Sequence, residues 1–530
     1  MNADPAASPP DQWKPRANPW LIAVTVTLAT FMEVLDISIA NVALPHIAGS
    51  LAASQSESTW VLTSYLVSNA IVLPVSAWLS SVMGRKRFYM SCVALFTVSS
   101  ALCGLAPSLG ALVLFRVLQG AGGGGLQPSE QAILADTFPP ARRGMAFAIY
   151  GVAVVCAPVL GPTLGGWITD NYSWRWIFYI NLPVGVISLV LSHLIVEDPP
   201  RARARGLRAS GGLDTIGLGL IALGFGALQV MLDKGQEDDW FSSPLIRTCA
   251  VLSAVGLIGT IIWELRHPHP IVNLRLFAER NFATAVVLLF VMGFLLLGST
   301  TLLPLYLQTL VGYTATEAGL VLTAGAVFLL FIMPVAGALL SKFEARWLVG
   351  CGFLISAYGL MRMAGLSLDA SFGSVSFDRV VQMAGIPLLF VPLNTAAYRF
   401  IPPEANNQAS SLTNLARNIG QSVAASAVST FLARWSQVHQ GLLVGHLTPF
   451  ATPYRWDLHR LSLSLAAHGA SIGAAQHRAV QVLYDTLQRQ STMLAVTDIF
   501  RLMAFLCFAV LPLLVLFKRY DPRHVRAAVH

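Results

Sequence analysis

Apolar runs of roughly 20 residues recur along the whole of this chain, each long enough to cross the hydrocarbon core of a bilayer as a helix. In lipid every backbone N–H and C=O must be satisfied within the protein, so such a chain is confined to an all-α polytopic membrane fold. Composition agrees. Of 530 residues, 55% are hydrophobic and only 11% are charged, and the mean hydropathy is +0.64. A soluble chain carries about twice that charged fraction. The net charge of +8 does not call for a nucleic-acid partner, because cytoplasmic loops of membrane proteins collect Lys and Arg.

The pattern predicts fourteen spans, at about 20–43, 58–81, 88–106, 109–134, 144–168, 174–196, 213–232, 245–265, 281–304, 316–341, 346–367, 373–398, 408–433 and 494–517. The basic residues test that count. With both termini in the cytoplasm, the inner segments hold Lys14 and Arg16; Arg85, Lys86 and Arg87; Arg142 and Arg143; four arginines between 201 and 208; Lys342 and Arg346; and Lys518 and Arg519. The short outer loops hold little beyond Arg175 and Lys234. Dropping one helix would destroy the asymmetry.

Residues 1–19 are Pro-rich and polar, without the basic-then-apolar order of a signal peptide, and read as a disordered cytoplasmic leader. Residues 197–212 (EDPPRARARGLRASGG) read as a basic linker, 519–530 as a cytoplasmic tail, and 434–493 as one long external loop, either a solvated cap or a docking element. The six cysteines fall within spans and lack metal-type spacing.

The chain contains a repeat. Val61-Leu62-Thr63 returns as Val321-Leu322-Thr323 and Pro74-Val75 as Pro334-Val335, at an offset of 260; FRVLQGAG (115–122) returns as DRVVQMAG (378–385) at 263. Two parallel six-helix halves, 20–196 and 281–518, thus flank an inserted pair at 213–265. Repeat-built transporters place their substrate site between the halves near the midplane.

Charges inside the predicted spans are the functional candidates. Asp36 lies roughly 12 Å from the outer end of its helix and Arg116 roughly 10 Å, at 1.5 Å per residue. The two match in depth within one half and are predicted to pair. Burial favours the neutral form of a carboxyl and a nearby arginine favours the ionised one, so a site combining both exchanges a proton as its exposure changes. Glu33 shares a helix face with Asp36; it reads as a second proton carrier, a reader of substrate charge, or a silent neutral acid. Glu130, Arg362, Arg379 and Arg417 are further buried charges, with Arg417 aimed at the central cavity. GAGGGG (120–125) lacks the ending of a phosphate loop and reads as close helix packing, and Gly161, Pro162, Gly165 and Gly166 in GPTLGG read as a kinkable seam.

LDISIANVALP, GRKR, RVLQGAGGG and GPTLGGW together resemble the motifs of major facilitator superfamily drug:proton antiporters, and the fourteen-helix count resembles their EmrB/QacA subfamily. The resemblance covers essentially the whole chain. It implies two six-helix bundles plus two inserted helices, and proton-driven efflux of hydrophobic drugs. It also implies a bacterial inner-membrane location and coupling roles for Asp36 and Arg116; Glu33 is expected beside them from its place on the shared helix face, and Glu33, Asn41, Gln119 and Arg417 are expected to line a substrate cavity. Gating and packing roles fall to Gly161, Pro162, Gly165, Gly166, Gly84, Arg85 and Lys86. It implies no cofactor beyond the proton gradient, and partners in a periplasmic adaptor of the EmrA type and a TolC-like outer-membrane channel.

Two residues depart from the pattern. Ser81 stands where the loop motif usually carries Asp, which puts the gating role of Arg85 and Lys86 in question, and Glu33 replaces a neutral residue. An importer or exporter of a specific metabolite, fatty acid or siderophore is the alternative reading. A membrane-embedded enzyme rests only on His193 and Asp198 in HLIVED, an HxxxxD spacing with no nucleophile or zinc motif to support it.

Overall fold

Twelve helices among the described residues are long and apolar enough to span a bilayer. Two more, polar enough to miss that measure, pack among them. The computed structural model describes residues 15–199, 214–268, 270–445, 447–448, 450–468 and 471–518. Most of the expected leader and of the linker, and the expected tail, lie outside these residues.

The N-terminal half comprises α1 (Pro19–Ser50), α2 (Trp60–Met83), α3 (Arg85–Leu105), α4 (Leu109–Gly123), α5 (Leu126–Thr137), α6 (Pro140–Asn171) and α7 (Asn181–Ile195). Helices α4 and α5 form one span, interrupted where Gly124 and Gly125 precede Pro128, which has no N–H to return to the Gly124 carbonyl. The inserted pair is α8 (Thr215–Lys234) and α9 (Pro244–Arg266). The C-terminal half comprises α10 (Arg280–Tyr306), α11 (Ala315–Leu339), α12 (Ala345–Met363), α13 (Phe372–Ala397), α14 (Asn406–Val444), α15 (Thr452–Ala467) and α16 (Ile472–Ala509). The expected fourteen spans are present, α15 lying outside them.

The described chain begins and ends at one face, here the terminal face. There Trp20 meets Phe138 at 4.8 Å between ring centroids, and the Lys518 amide donates to Asn281 Oδ1 at 2.8 Å. At the other face the expected external loop is mostly helix. Helix α14 runs 39 residues, ~58 Å at 1.5 Å per residue, against a hydrocarbon core about 30 Å thick. It and α16 therefore continue past the membrane as an antiparallel hairpin, joined by Ser436–Thr492 at 3.1 Å and His439–Asp498 at 2.8 Å. Arg489 ties the hairpin to the end of the α10 span through the Leu310 carbonyl, 2.6 Å.

Glycine sets the packing inside the N-terminal half. A Cβ at Gly120 would lie 2.4 Å from the Tyr65 carbonyl of α2, and one at Gly122 would lie 2.7 Å from the Phe96 amide of α3. The GAGGGG stretch is thus a three-helix contact, as its sequence suggests. Gly84 turns α2 into α3 at φ 86°, a conformation that glycine alone adopts without strain.

Candidate transport site

Asp36 and Arg116 meet at 2.6 Å, both essentially without solvent exposure. Two amides complete a cage. Asp36 Oδ1 accepts from Asn181 Nδ2 of α7 at 2.7 Å and from Gln119 Nε2 of α4 at 3.0 Å. Arg116 also donates to Gln119 Oε1 at 2.8 Å and to the Val61 carbonyl at 3.0 Å, and its guanidinium lies 4.4 Å over the Tyr65 ring. A buried carboxylate is tolerable in lipid only when paired and hydrogen-bonded, and this one has three donors. The predicted pairing is present; Asn181 and Tyr65 are its unpredicted members.

The repeat contains the same cage without its acid. At the offset of 263, Arg116 corresponds to Arg379, Gln119 to Gln382 and Asp36 to Ser299. Arg379 is wholly buried and donates to Ser299 Oγ at 3.0 Å, Gln382 Oε1 at 2.8 Å and Thr300 Oγ1 at 2.9 Å. The fold thus holds two arginine cages, and the titratable acid sits in one half only.

Other expected site residues fall differently. Gln119, expected on the cavity, is buried inside the Asp36 cage, and Asn41 is exposed near the hairpin-side end of α1. Glu33 is buried, accepts from Asn69 Nδ2 at 3.2 Å and has Gln127 as its second polar neighbour. Arg417 of α14 reaches across the seam between the halves, donating to Gln127 Oε1, to Tyr150 Oη at 3.1 Å and to Asn414 Oδ1 at 2.7 Å. Arg362 is not buried: it is 39% exposed and pairs with Asp378 at 2.5 Å.

The seam of α6 on α1 is built as its sequence suggests. A Cβ at Gly161 would lie 2.3 Å from Ser38 Oγ, and one at Gly165 would lie 3.2 Å from Ile39. Pro162 has no N–H for the Pro158 carbonyl four residues back, and Ser38 Oγ of α1 donates to that carbonyl at 2.9 Å. Gly166 meets no neighbour within 4 Å and takes no part in this seam.

The acid missing at Ser81 is supplied from elsewhere. Buried Arg85 pairs with Asp136 of α5 and donates to the Ala132 carbonyl at 2.9 Å. Asp136 Oδ1 accepts in turn from Asn406 Nδ2 at the start of α14, 2.9 Å, and Asn407 donates to Ser80 Oγ at 3.0 Å. Tyr398 Oη–Gln131 at 3.0 Å and Ser410 Oγ to the Pro128 carbonyl at 2.7 Å continue the contact between halves. These bonds close the terminal face. Lys86 gives its amide to Asp198 Oδ1 at 2.8 Å and its ammonium to the His193 carbonyl at 2.7 Å. The HxxxxD pair thus caps α3, with burial pushing the Asp198 carboxyl up against the pull of the Lys86 amide and its basic neighbours.

A family model described as Major Facilitator Superfamily matches residues 26–425. The chain belongs to the major facilitator superfamily. It is an EmrB-like member and a transporter rather than an enzyme. It is 40% identical over 435 residues to "Multidrug export protein EmrB" of Haemophilus influenzae, covering 81% of this chain and 84% of that protein. It is 36% identical over 499 residues to "Fatty acid resistance protein FarB" of Neisseria gonorrhoeae, covering 94% and 96%. Among solved structures, the proton:xylose symporter XylE aligns with TM-score 0.56 at 15% identity, covering 93% of this chain and 95% of that one. Human MFSD10 aligns with TM-score 0.55 at 13% identity, covering 93% and 100%. These two likenesses concern the superfamily fold.

Proposed function

We propose that this chain is a proton-coupled multidrug exporter working by alternating access. The observation that carries the reading is the buried Asp36–Arg116 pair, set in one half while its repeat-mate position holds Ser299. Protonating Asp36 neutralises the acceptor of three donors and leaves Arg116 without its counter-charge, so proton binding and the packing of α1 change together. Ser38, two residues on, is bonded to the kinked α6, and α6 packs on α11 of the other half; Gly319 lies against Thr163 there. A local charge change at Asp36 therefore has a mechanical route to the seam. The Arg85–Asp136–Asn406 latch is the element released when the terminal face opens.

The basic loops favour a cytoplasmic terminal face, and the bacterial EmrB relatives favour a bacterial inner membrane. The substrates are hydrophobic and amphiphilic compounds, a class broad enough for both EmrB-type drugs and the fatty acids named for FarB. The hairpin of α14 and α16 with α15 between them, exposing Phe450, Trp456 and Ile472, is the surface we assign to an EmrA-type adaptor leading to a TolC-like channel. A carrier of one metabolite or siderophore remains the second reading, favoured only by the dense burial of the cage.

Inverted membrane vesicles test the proposal. An acid-interior gradient should drive uptake of several members of a panel of uncouplers, fatty acids and organic cations, and an uncoupling ionophore should abolish it. Uptake of a single member, or uptake indifferent to the gradient, would overturn it.

A further inference from the structure

Below the Asp36 cage, towards the terminal face, two more acids lie along α1. Glu33 is on α1 itself, and Glu130 of α5 accepts from Thr27 Oγ1 at 2.6 Å. Asp36 and Thr27 are nine residues apart, ~14 Å along the helix at 1.5 Å per residue. Each of the two lower acids takes one close hydrogen bond and has a second polar group turned toward its carboxyl, Gln127 at Glu33 and Thr30 at Glu130, with no cation among the described residues paired to it at salt-bridge distance. Tyr65 is wholly buried, is acted on by both Asp36 and Glu33, and turns its Oη toward Asn69, the same amide that donates to Glu33. A Cβ at Gly123 would touch that oxygen at 2.4 Å and Asn69, the donor to Glu33, at 3.1 Å. Two buried carboxyls and a buried phenol in one file beside α1, each held by neutral side chains instead of a paired cation, are a standing cost to folding, and such groups persist where they serve function.

We infer that Glu33 and Glu130, joined to Asp36 through Tyr65, continue the coupling site into a three-acid proton relay inside the N-terminal half. The inference rests on the coupling role of Asp36 proposed above. Each transfer breaks one O–H bond and forms another. Tyr65 accepts at Oη as it gives its own hydrogen to Glu33, so it ends neutral, and Glu33 hands the proton to Glu130. The surrounding titratable and charged groups are Arg116 of α4, Tyr89, Cys92 and Cys103 of α3, Tyr150 of α6 and Arg417 of α14. Arg417 acts on both lower acids but belongs to the other half. Parting of the halves at the terminal face therefore withdraws the cation and admits water to Glu130, whose neighbour Gln131 bonds Asn414 and Tyr398 across the seam. The relay thus carries protons past a closed drug pathway and discharges them when that face opens.

Full-length protein in liposomes, with a pH-sensitive dye inside and a transported cation such as ethidium as the drug, tests this. Protons moved per drug molecule should fall at least tenfold in Glu33→Gln and Glu130→Gln, and Glu130→Asp should restore them. Infrared difference spectra across a pH step should lose one protonated-carboxyl band in each Gln variant, a readout that does not depend on turnover. Wild-type proton-to-drug ratios in both Gln variants, with those bands retained, would overturn the relay. Asp36→Asn run alongside separates the two claims. Wild-type coupling in that variant overturns the coupling site itself, whereas its loss beside normal Glu variants overturns only the relay.

Discussion

Asp36 is held by groups from two other helices, α4 and α7, and its removal and that of Arg116 are not equivalent. Arg116→Ala leaves a carboxylate buried without its cation, a change that costs about 3–5 kcal/mol. It should lower the unfolding temperature in detergent and the level of inserted protein. Arg116→Lys keeps the charge but cannot donate at once to Asp36, Gln119 and the Val61 carbonyl, so it should insert normally and transport poorly. Asn181→Ala removes one donor and should cost about 1–3 kcal/mol, read by the same melting assay. Sequence depth alone matched Asp36 to Arg116, because a buried charge in lipid needs a partner at its own level. Asn181 and Tyr65 were not legible, since their aim depends on how α7 and α2 are rotated in the bundle. Gln119 was misplaced for the same reason: spacing puts it one turn from Arg116, but only packing shows that it faces inward.

At the scale of elements, the α1–α6 seam depends on missing side chains. Gly161→Ala drives a methyl into Ser38, whose Cβ is 2.4 Å from the site, and overpacking of this kind costs about 1–3 kcal/mol. Transport should fall sharply. Adding Ser38→Gly should recover part of it by restoring the space, though not the hydroxyl that serves the Pro158 carbonyl. Gly166→Ala, which meets nothing within 4 Å, should be close to silent in the same drug-uptake assay; a loss equal to that of Gly161→Ala would contradict this account of the seam. The seam was legible because Gly161, Gly165 and Pro162 announce close approach and a missing N–H. The helical hairpin was legible only in part. Hydropathy ends a span where the apolar run ends, whereas α14 and α16 continue helical into water with polar residues on their outer faces.

Across the whole molecule, fourteen spans and the two-half repeat could be read from apolar length, basic loops and a constant offset. The closing contact could not, because it joins residues 270 positions apart, Asp136 and Asn406, and fills the gap left by Ser81 with an acid from another helix. Asp136→Asn weakens that latch, and a tenfold shift toward the open terminal face corresponds to about 1.4 kcal/mol. Distances between spin labels on the two halves at that face should lengthen in this variant, and an unchanged distribution would remove Asp136 from gating.

The central claim is that proton binding at Asp36 drives uphill export. Drug accumulation by purified protein in liposomes under an imposed pH gradient, wild type beside Asp36→Asn, addresses it most directly. The wild type should concentrate the drug above the level outside. The variant should let drug cross only until the two sides are equal, and uphill accumulation in Asp36→Asn at the wild-type level would contradict the claim.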